Sequence, residues 1–185
     1  MANAFEKLIG QTLQAYRDAK IANLIFIHPP MRPVGMMGKV PCFIQSGKSP
    51  FDMAGIYYDR AGTGIGVELK ETAEHDHSMS IVHPEKRGNG IHYHQLSGLV
   101  EVHKAGGVAL LLWSNGGEIG ALNGEDLHLA KVQYDASLKA EAANKTPARG
   151  SRSILWGRFN LVKAGHGGTP LWLPPSPVEK HTKAA

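Results

Sequence analysis

The chain has 185 residues, 42% of them hydrophobic and 19% charged, which suits one domain with its own core and lies outside the range of disordered chains. No window approaches the ~18 uninterrupted apolar residues of a membrane span, and Glu6, Lys7 and Arg17 do not fit a signal-peptide pattern. Cys42 stands alone, which excludes an internal disulfide framework and a cysteine-based zinc site; a soluble, cytoplasmic protein is expected.

The net charge of +4 is unevenly spread. Residues 1–70 hold eight Lys/Arg against five Asp/Glu, residues 71–135 four against nine, and residues 136–185 eight against two. The basic last quarter has the composition of a polyanion-binding arm and equally that of a solvated tail.

In chain order, Phe5, Leu8, Ile9, Leu13 and Tyr16 share one face and predict a helix over 3–18, with Asn3 and Glu6 spaced as a capping box. Ala22 to His28 reads as a strand. In residues 28–41 (HPPMRPVGMMGKVP) the prolines and glycines argue against regular structure but allow a stiff protrusion bearing Arg32, Lys39, Met31, Met36 and Met37. Cys42–Gln45 reads as a short strand before a Ser-Gly-Lys-Ser-Pro turn. Residues 51–58 and 63–71 predict a hairpin around an Asp-Arg-Ala-Gly turn.

Residues 73–90 read as a long polar loop, and residues 91–104 as a helix with Leu96, Leu99, Val100 and His103 at helical spacing. GVALLLW, from Gly107 to Trp113, has the continuous apolar run of a strand buried on both faces. Residues 118–122, beyond an Asn-Gly-Gly turn, are its expected partner. Residues 139–152 read as a linker and 154–162 as a last strand, with disorder from Pro174. The order describes a small α/β domain without internal repeats.

The hairpin carries the chemistry. A turn centred on Arg60 pairs residues whose numbers add to 120, which sets Asp52 opposite Glu68 with Cβ atoms roughly 5 Å apart. Lys70 follows on the same face about 7 Å along. Opposed carboxylates repel unless something intervenes, and a divalent cation with a preference for oxygen is one remedy. An exposed face carrying ordinary Glu–Lys pairs is the plainer reading of the same spacing. The histidines of His75-Asp76-His77 read as solvated surface, and Trp113 as core.

Phe51-Asp52 followed by Glu68-Leu69-Lys70 resembles the D…(E/D)-x-K signature of the restriction-endonuclease-like, or PD-(D/E)xK, nuclease superfamily. The wider match, SPFDMAGIYYDR…GVELKET followed by His92-Tyr93-His94-Gln95, resembles RecU-type Holliday-junction resolvases over about residues 5–127. That resemblance implies a restriction-endonuclease-like core: a central mixed sheet flanked by helices with a projecting stalk loop. The nuclease domain would span 1–135 with the stalk at 28–41, leaving 136–185 as a basic, partly disordered extension. Asp52, Glu68 and Gln95 would bind Mg²⁺ (Mn²⁺ is the alternative), and Lys70 would stabilise the transition state. Glu6 serves equally as a metal-site glutamate and as a helix cap. In the stalk, Arg32 and Lys39 would meet phosphates while Met36 and Met37 form an apolar wedge.

The partner implied is branched DNA, a four-way junction cut by a homodimer in a bacterial or phage-infected cell, with no membrane. The chain departs from the family pattern at Pro50, where a hydroxyl residue is usual and Ser49 is its neighbour, and in a longer loop before Gln95. The alternatives are a related nuclease acting on branched or nicked duplex DNA and a non-catalytic DNA-binding protein.

Overall fold

A computed structural model describes residues 4–27, 31–37, 40–45, 48–58, 61–83, 85–164 and 170–174. Helix α1 (Ala4–Asp18) buries Phe5, Ile9, Thr12, Leu13 and Tyr16 on one stripe. It closes on Lys20, whose φ of 53° ends the helix in the left-handed region. Strands β1 (Ala22–Phe26), β4 (Met53–Tyr57), β5 (Gly64–Thr72), β8 (Val108–Asn115), β9 (Glu118–Asn123) and β11 (Asn160–Leu161) form a six-stranded sheet in the order β1-β4-β5-β8-β9-β11. The sheet is mixed: β5 and β8 run parallel, and the other neighbours antiparallel.

Strand alternation splits the core in two. Ile65, Val67 and Leu69 of β5 join Leu110 and Leu112 of β8 under α1, in a cluster that also contains Met53 and Trp172. Ala109, Leu111 and Trp113 face the other way, onto helices α2 (Tyr93–Lys104) and α3 (Gly124–Ala142). The parallel β5–β8 connection needs a crossover, and α2 lies within it. The chain is thus an α/β protein with a central mixed sheet flanked by helices, and no helix among the described residues is long and apolar enough to cross a membrane.

Several sequence expectations change here. Residues 31–45 are not devoid of regular structure: β2 (Met31–Met37) and β3 (Val40–Gln45) pair as an antiparallel ribbon with a register shift between Pro33 and Gly35. A two-stranded ribbon has two free edges, so a proline lacking its N–H is tolerated there. The supposed loop 73–90 contains β6 (Ser78–Val82), which pairs with β7 (Ile91–His92) and β10 (Ser153–Leu155) in a second sheet. Met79, Ile81 and Val82 are buried, and this supplies the strand's driving force.

The linker expected from residue 139 begins inside α3, as does the boundary expected after residue 135. Ile154 and Phe159 are core residues, and the single strand expected at 154–162 is broken by a 3₁₀ turn at Trp156–Arg158. The short pair β12 (Lys163–Ala164) and β13 (Pro170–Leu171) leads to Trp172. The Trp172 indole N–H donates to Thr12 Oγ1 (2.8 Å), the backbone N–H groups of Trp172 and Leu173 donate to the Tyr16 hydroxyl (3.0 Å each), and the Tyr57 hydroxyl donates to the Pro174 carbonyl (2.6 Å). Pro174 is thereby tied to the core, and the rest of the stretch expected to be disordered lies outside the described residues.

Candidate active site

The β4–β5 ladder pairs Met53 with Val67 and Ile56 with Gly64, the register expected from the sequence. Asp52 sits one residue outside the ladder, where its position is fixed twice. Its carbonyl accepts from the Ile27 N–H (2.7 Å), and its carboxylate Oδ2 accepts from the Leu69 N–H (2.9 Å). The side chain therefore serves as a ladder acceptor where the strand stops. Met53 points into the α1 cluster, so strand alternation sends Asp52 to the α2 side, along with Glu68 and Lys70.

Glu68 is 0% exposed. Strand β5 is covered on both faces over Ile65–Leu69, because α2 lies across the face that carries the acid. Lys70 Nζ approaches Glu68 Oε1 to 2.6 Å as an ion pair lying off hydrogen-bond direction, and neither Glu68 oxygen has a hydrogen-bond partner among the described residues. Burial pushes the Glu68 carboxyl up to about 8. The Lys70 charge opposes that rise and the nearby Asp52 carboxylate adds to it.

Gln95, on the first turn of α2, has its side-chain oxygen engaged twice: it accepts from Lys70 Nζ (3.2 Å) and from the His92 N–H at the helix start (3.0 Å). In this arrangement Gln95 holds the lysine and caps the helix. To serve as the expected metal ligand it would have to give up a donor. Lys70, Glu68, Asp52 and Gln95 are thus brought together, whereas Glu6 stands on α1, whose apolar stripe covers the opposite face of the sheet. Arg32, Met36 and Met37 lie on the β2 backbone of the separate ribbon, and Lys39 lies outside the described residues.

Among the described residues no group of three or more His, Cys, Asp or Glu side chains is placed to hold a metal ion, so an all-protein cage is not built here. The pair Asp52 and Glu68 nonetheless fits Mg²⁺, which is commonly held by one or two carboxylates, its remaining positions going to water and phosphate. A buried carboxylate with both oxygens unsatisfied is the feature that recommends it.

One residue of the site was not singled out in the sequence. Gly98, four residues after His94 on α2, lets the Asp52 segment lie against the helix: a Cβ there would come within 2.9 Å of Pro50 Cβ and 3.1 Å of the Pro50 carbonyl. The signal was a glycine inside a helical pattern, which costs ~1 kcal/mol relative to alanine and calls for a reason. A cleft of about 500 Å³, lined by Lys70 but by neither Asp52 nor Glu68, opens between Glu71, Thr72, Ser78, Ser80 and Asn89.

His75 is exposed, as expected, and also makes structural contacts. Its ring spans Glu118 Oε2 (3.0 Å) and the Asn115 amide (3.1 Å), edge-on to Trp156. Trp113 is fully buried, as expected. The chain matches no protein-family model and no curated protein sequence.

Proposed function

We propose that the chain is a metal-dependent endonuclease that resolves four-way DNA junctions by paired phosphodiester hydrolysis, a RecU-type enzyme with a restriction-endonuclease-like core. The observation that carries the reading is the buried Glu68 carboxylate, unsatisfied and beside Asp52, with the Lys70 ammonium 2.6 Å away. A DNA-binding protein without chemistry has no use for two acids facing a polyanion.

Asp52 and Glu68 would hold the Mg²⁺ or Mn²⁺, which when bound supplies charge neutralisation at the phosphate and an activated water. Lys70 carries its positive charge to the same face and offsets the charge that builds on the phosphoryl oxygens. Gln95 orients that ammonium through the 3.2 Å bond, and the two hydrogen bonds on Asp52 keep its carboxylate from swinging away. Cutting two strands symmetrically requires two such sites, hence a twofold homodimer. The β2–β3 ribbon, which pairs only within itself among the described residues, would serve as the stalk for the junction centre, with Arg32, Lys39, Met36 and Met37 as its contacts.

The test is cleavage of a labelled synthetic four-way junction and a matched linear duplex, with and without Mg²⁺. Junction cutting that needs the metal is expected, and Asp52→Asn should retain junction binding while losing the cut. Unchanged cutting by that variant would refute the site. Equal cutting of linear duplex would move the assignment to a related nuclease of broader substrate.

A further inference from the structure

At the start of α2, where the Gln95 side chain joins Lys70 to the His92 backbone, lies a second group of nitrogen-bearing side chains. The His92 and His94 rings stand 5.6 Å apart between centroids, tilted by 33°. Both are part-buried where α2 meets the segment that leads to Asp52, which lies against the helix at Gly98, one turn after His94. Lys48 and Lys70 both act electrostatically on each ring, and no carboxylate is among the groups that do. Lys70 is already balanced by Glu68, but Lys48 has no ion pair among the described residues. The Ser49 hydroxyl beside it is buried without a hydrogen-bond partner.

An unpaired ammonium beside two imidazoles and a buried hydroxyl without a partner makes a set of hydrogen-bond donors suited to an anion. We propose that Lys48, His92 and His94 form a phosphodiester-binding site that takes the DNA phosphate next to the one attacked at Asp52 and Glu68. It rests on the nuclease reading for its ligand. A phosphate held there fixes the register of the backbone over the acids, since phosphate contacts position without reading sequence. Neither histidine is a metal ligand in this arrangement, although their spacing invites that assignment.

The test uses full-length protein carrying Asp52→Asn, so that binding is read without cutting, and a labelled four-way junction over a series of salt concentrations. Lys48→Ala, at an exposed position that leaves the fold intact, is expected to weaken binding about fivefold and to flatten the slope of log Kd against log salt by roughly one contact. His92→Gln/His94→Gln should weaken it by a similar factor. Ring NMR signals of His92 and His94 should shift on titration with thymidine 3′,5′-bisphosphate, and Lys48→Ala should suppress the shift. If the wild-type protein cuts junctions while affinity, slope and ring signals are indifferent to these changes, the phosphate site is overturned and the nuclease reading survives. If the bisphosphate moves the rings of a protein that cuts no DNA, the site stands and the nuclease reading fails.

Discussion

Glu68 and Asn115 are both 0% exposed, on adjacent strands of one sheet, and the fold treats them in opposite ways. Asn115 uses every polar atom: its oxygen accepts from the Thr72 hydroxyl (3.0 Å) and the Asp76 N–H (2.7 Å), while its amide nitrogen donates to the Asp76 carbonyl (2.8 Å) and meets His75 Nδ1 (3.1 Å). Glu68 uses neither oxygen in a hydrogen bond. The first arrangement clamps the end of β5 and the loop after it to the end of β8 and leaves nothing over for a ligand. The second leaves a carboxyl group that accepts no hydrogen bond and has the Lys70 ammonium as its charged partner. Burial alone therefore says little about function; an unmet need inside the core is what separates a reactive group from a structural one.

The largest expected effect tests Glu68 directly. Glu68→Gln should lower the cutting rate by about a thousandfold, about 4 kcal/mol in the barrier. Its effect on stability should run the other way. With its carboxyl raised from 4.5 to about 8, Glu68 contributes stability that is fully present below the unfolded value and is lost as pH rises through about 8. Metal-free Glu68→Gln should therefore be more stable than wild type at pH 8, by on the order of a few kcal/mol, and no more stable at pH 4. Urea unfolding at the two pH values reads this, and a variant less stable at pH 8 would mean that Glu68 is structural after all.

Asn115→Ala should behave in the reverse sense. It removes the acceptor of the Thr72 hydroxyl and strands both backbone groups of Asp76, at a cost of about 3 kcal/mol. Cutting per folded molecule should be unaffected, as measured by denaturant midpoint beside active-site titration. Parallel loss of activity and stability would erase the contrast between the two residues.

The smallest effect is expected at Gly98. Alanine gains ~1 kcal/mol of helix propensity but drives a methyl against Pro50, moving the segment that carries Asp52. Single-turnover cutting should fall about tenfold while the melting temperature holds, since small misplacements of a reacting group are felt strongly.

The hairpin was legible because three signals agree: a four-residue turn, Val67 and Leu69 alternating with Glu68 and Lys70, and an acid placed where the register must bring it. GVALLLW was legible for a similar reason, its run of apolar residues being possible only for a strand covered twice. Helix α3 was not. Its buried positions are Gly124, Leu127, Ala130, Tyr134 and Ser137, while Leu129 and Val132 are about half exposed, so the packed face is made of small and polar residues and the apolar pattern misleads. Its start is nevertheless written plainly, since Asn123 caps the Asp126 N–H and Glu125 and Asp126 fill the first turn. Strand β6 hid within a histidine-rich stretch, where Ser-Met-Ser-Ile has the right alternation but too short a run. Full burial of Glu68 depends on α2 crossing a strand 25 residues away, which no local pattern records.

The clasp of Trp172 on Thr12 and Tyr16 joins positions 160 and 156 residues apart. On the ribosome, at ~5–20 residues per second, the first helix emerges on the order of ten seconds before the indole that seals it. For that interval the apolar stripe of α1 has only a partial roof, and a nascent chain in this state is a natural client for a chaperone. Trp172 thus acts as a late latch on α1, closing the face of the sheet opposite Glu68 and Lys70.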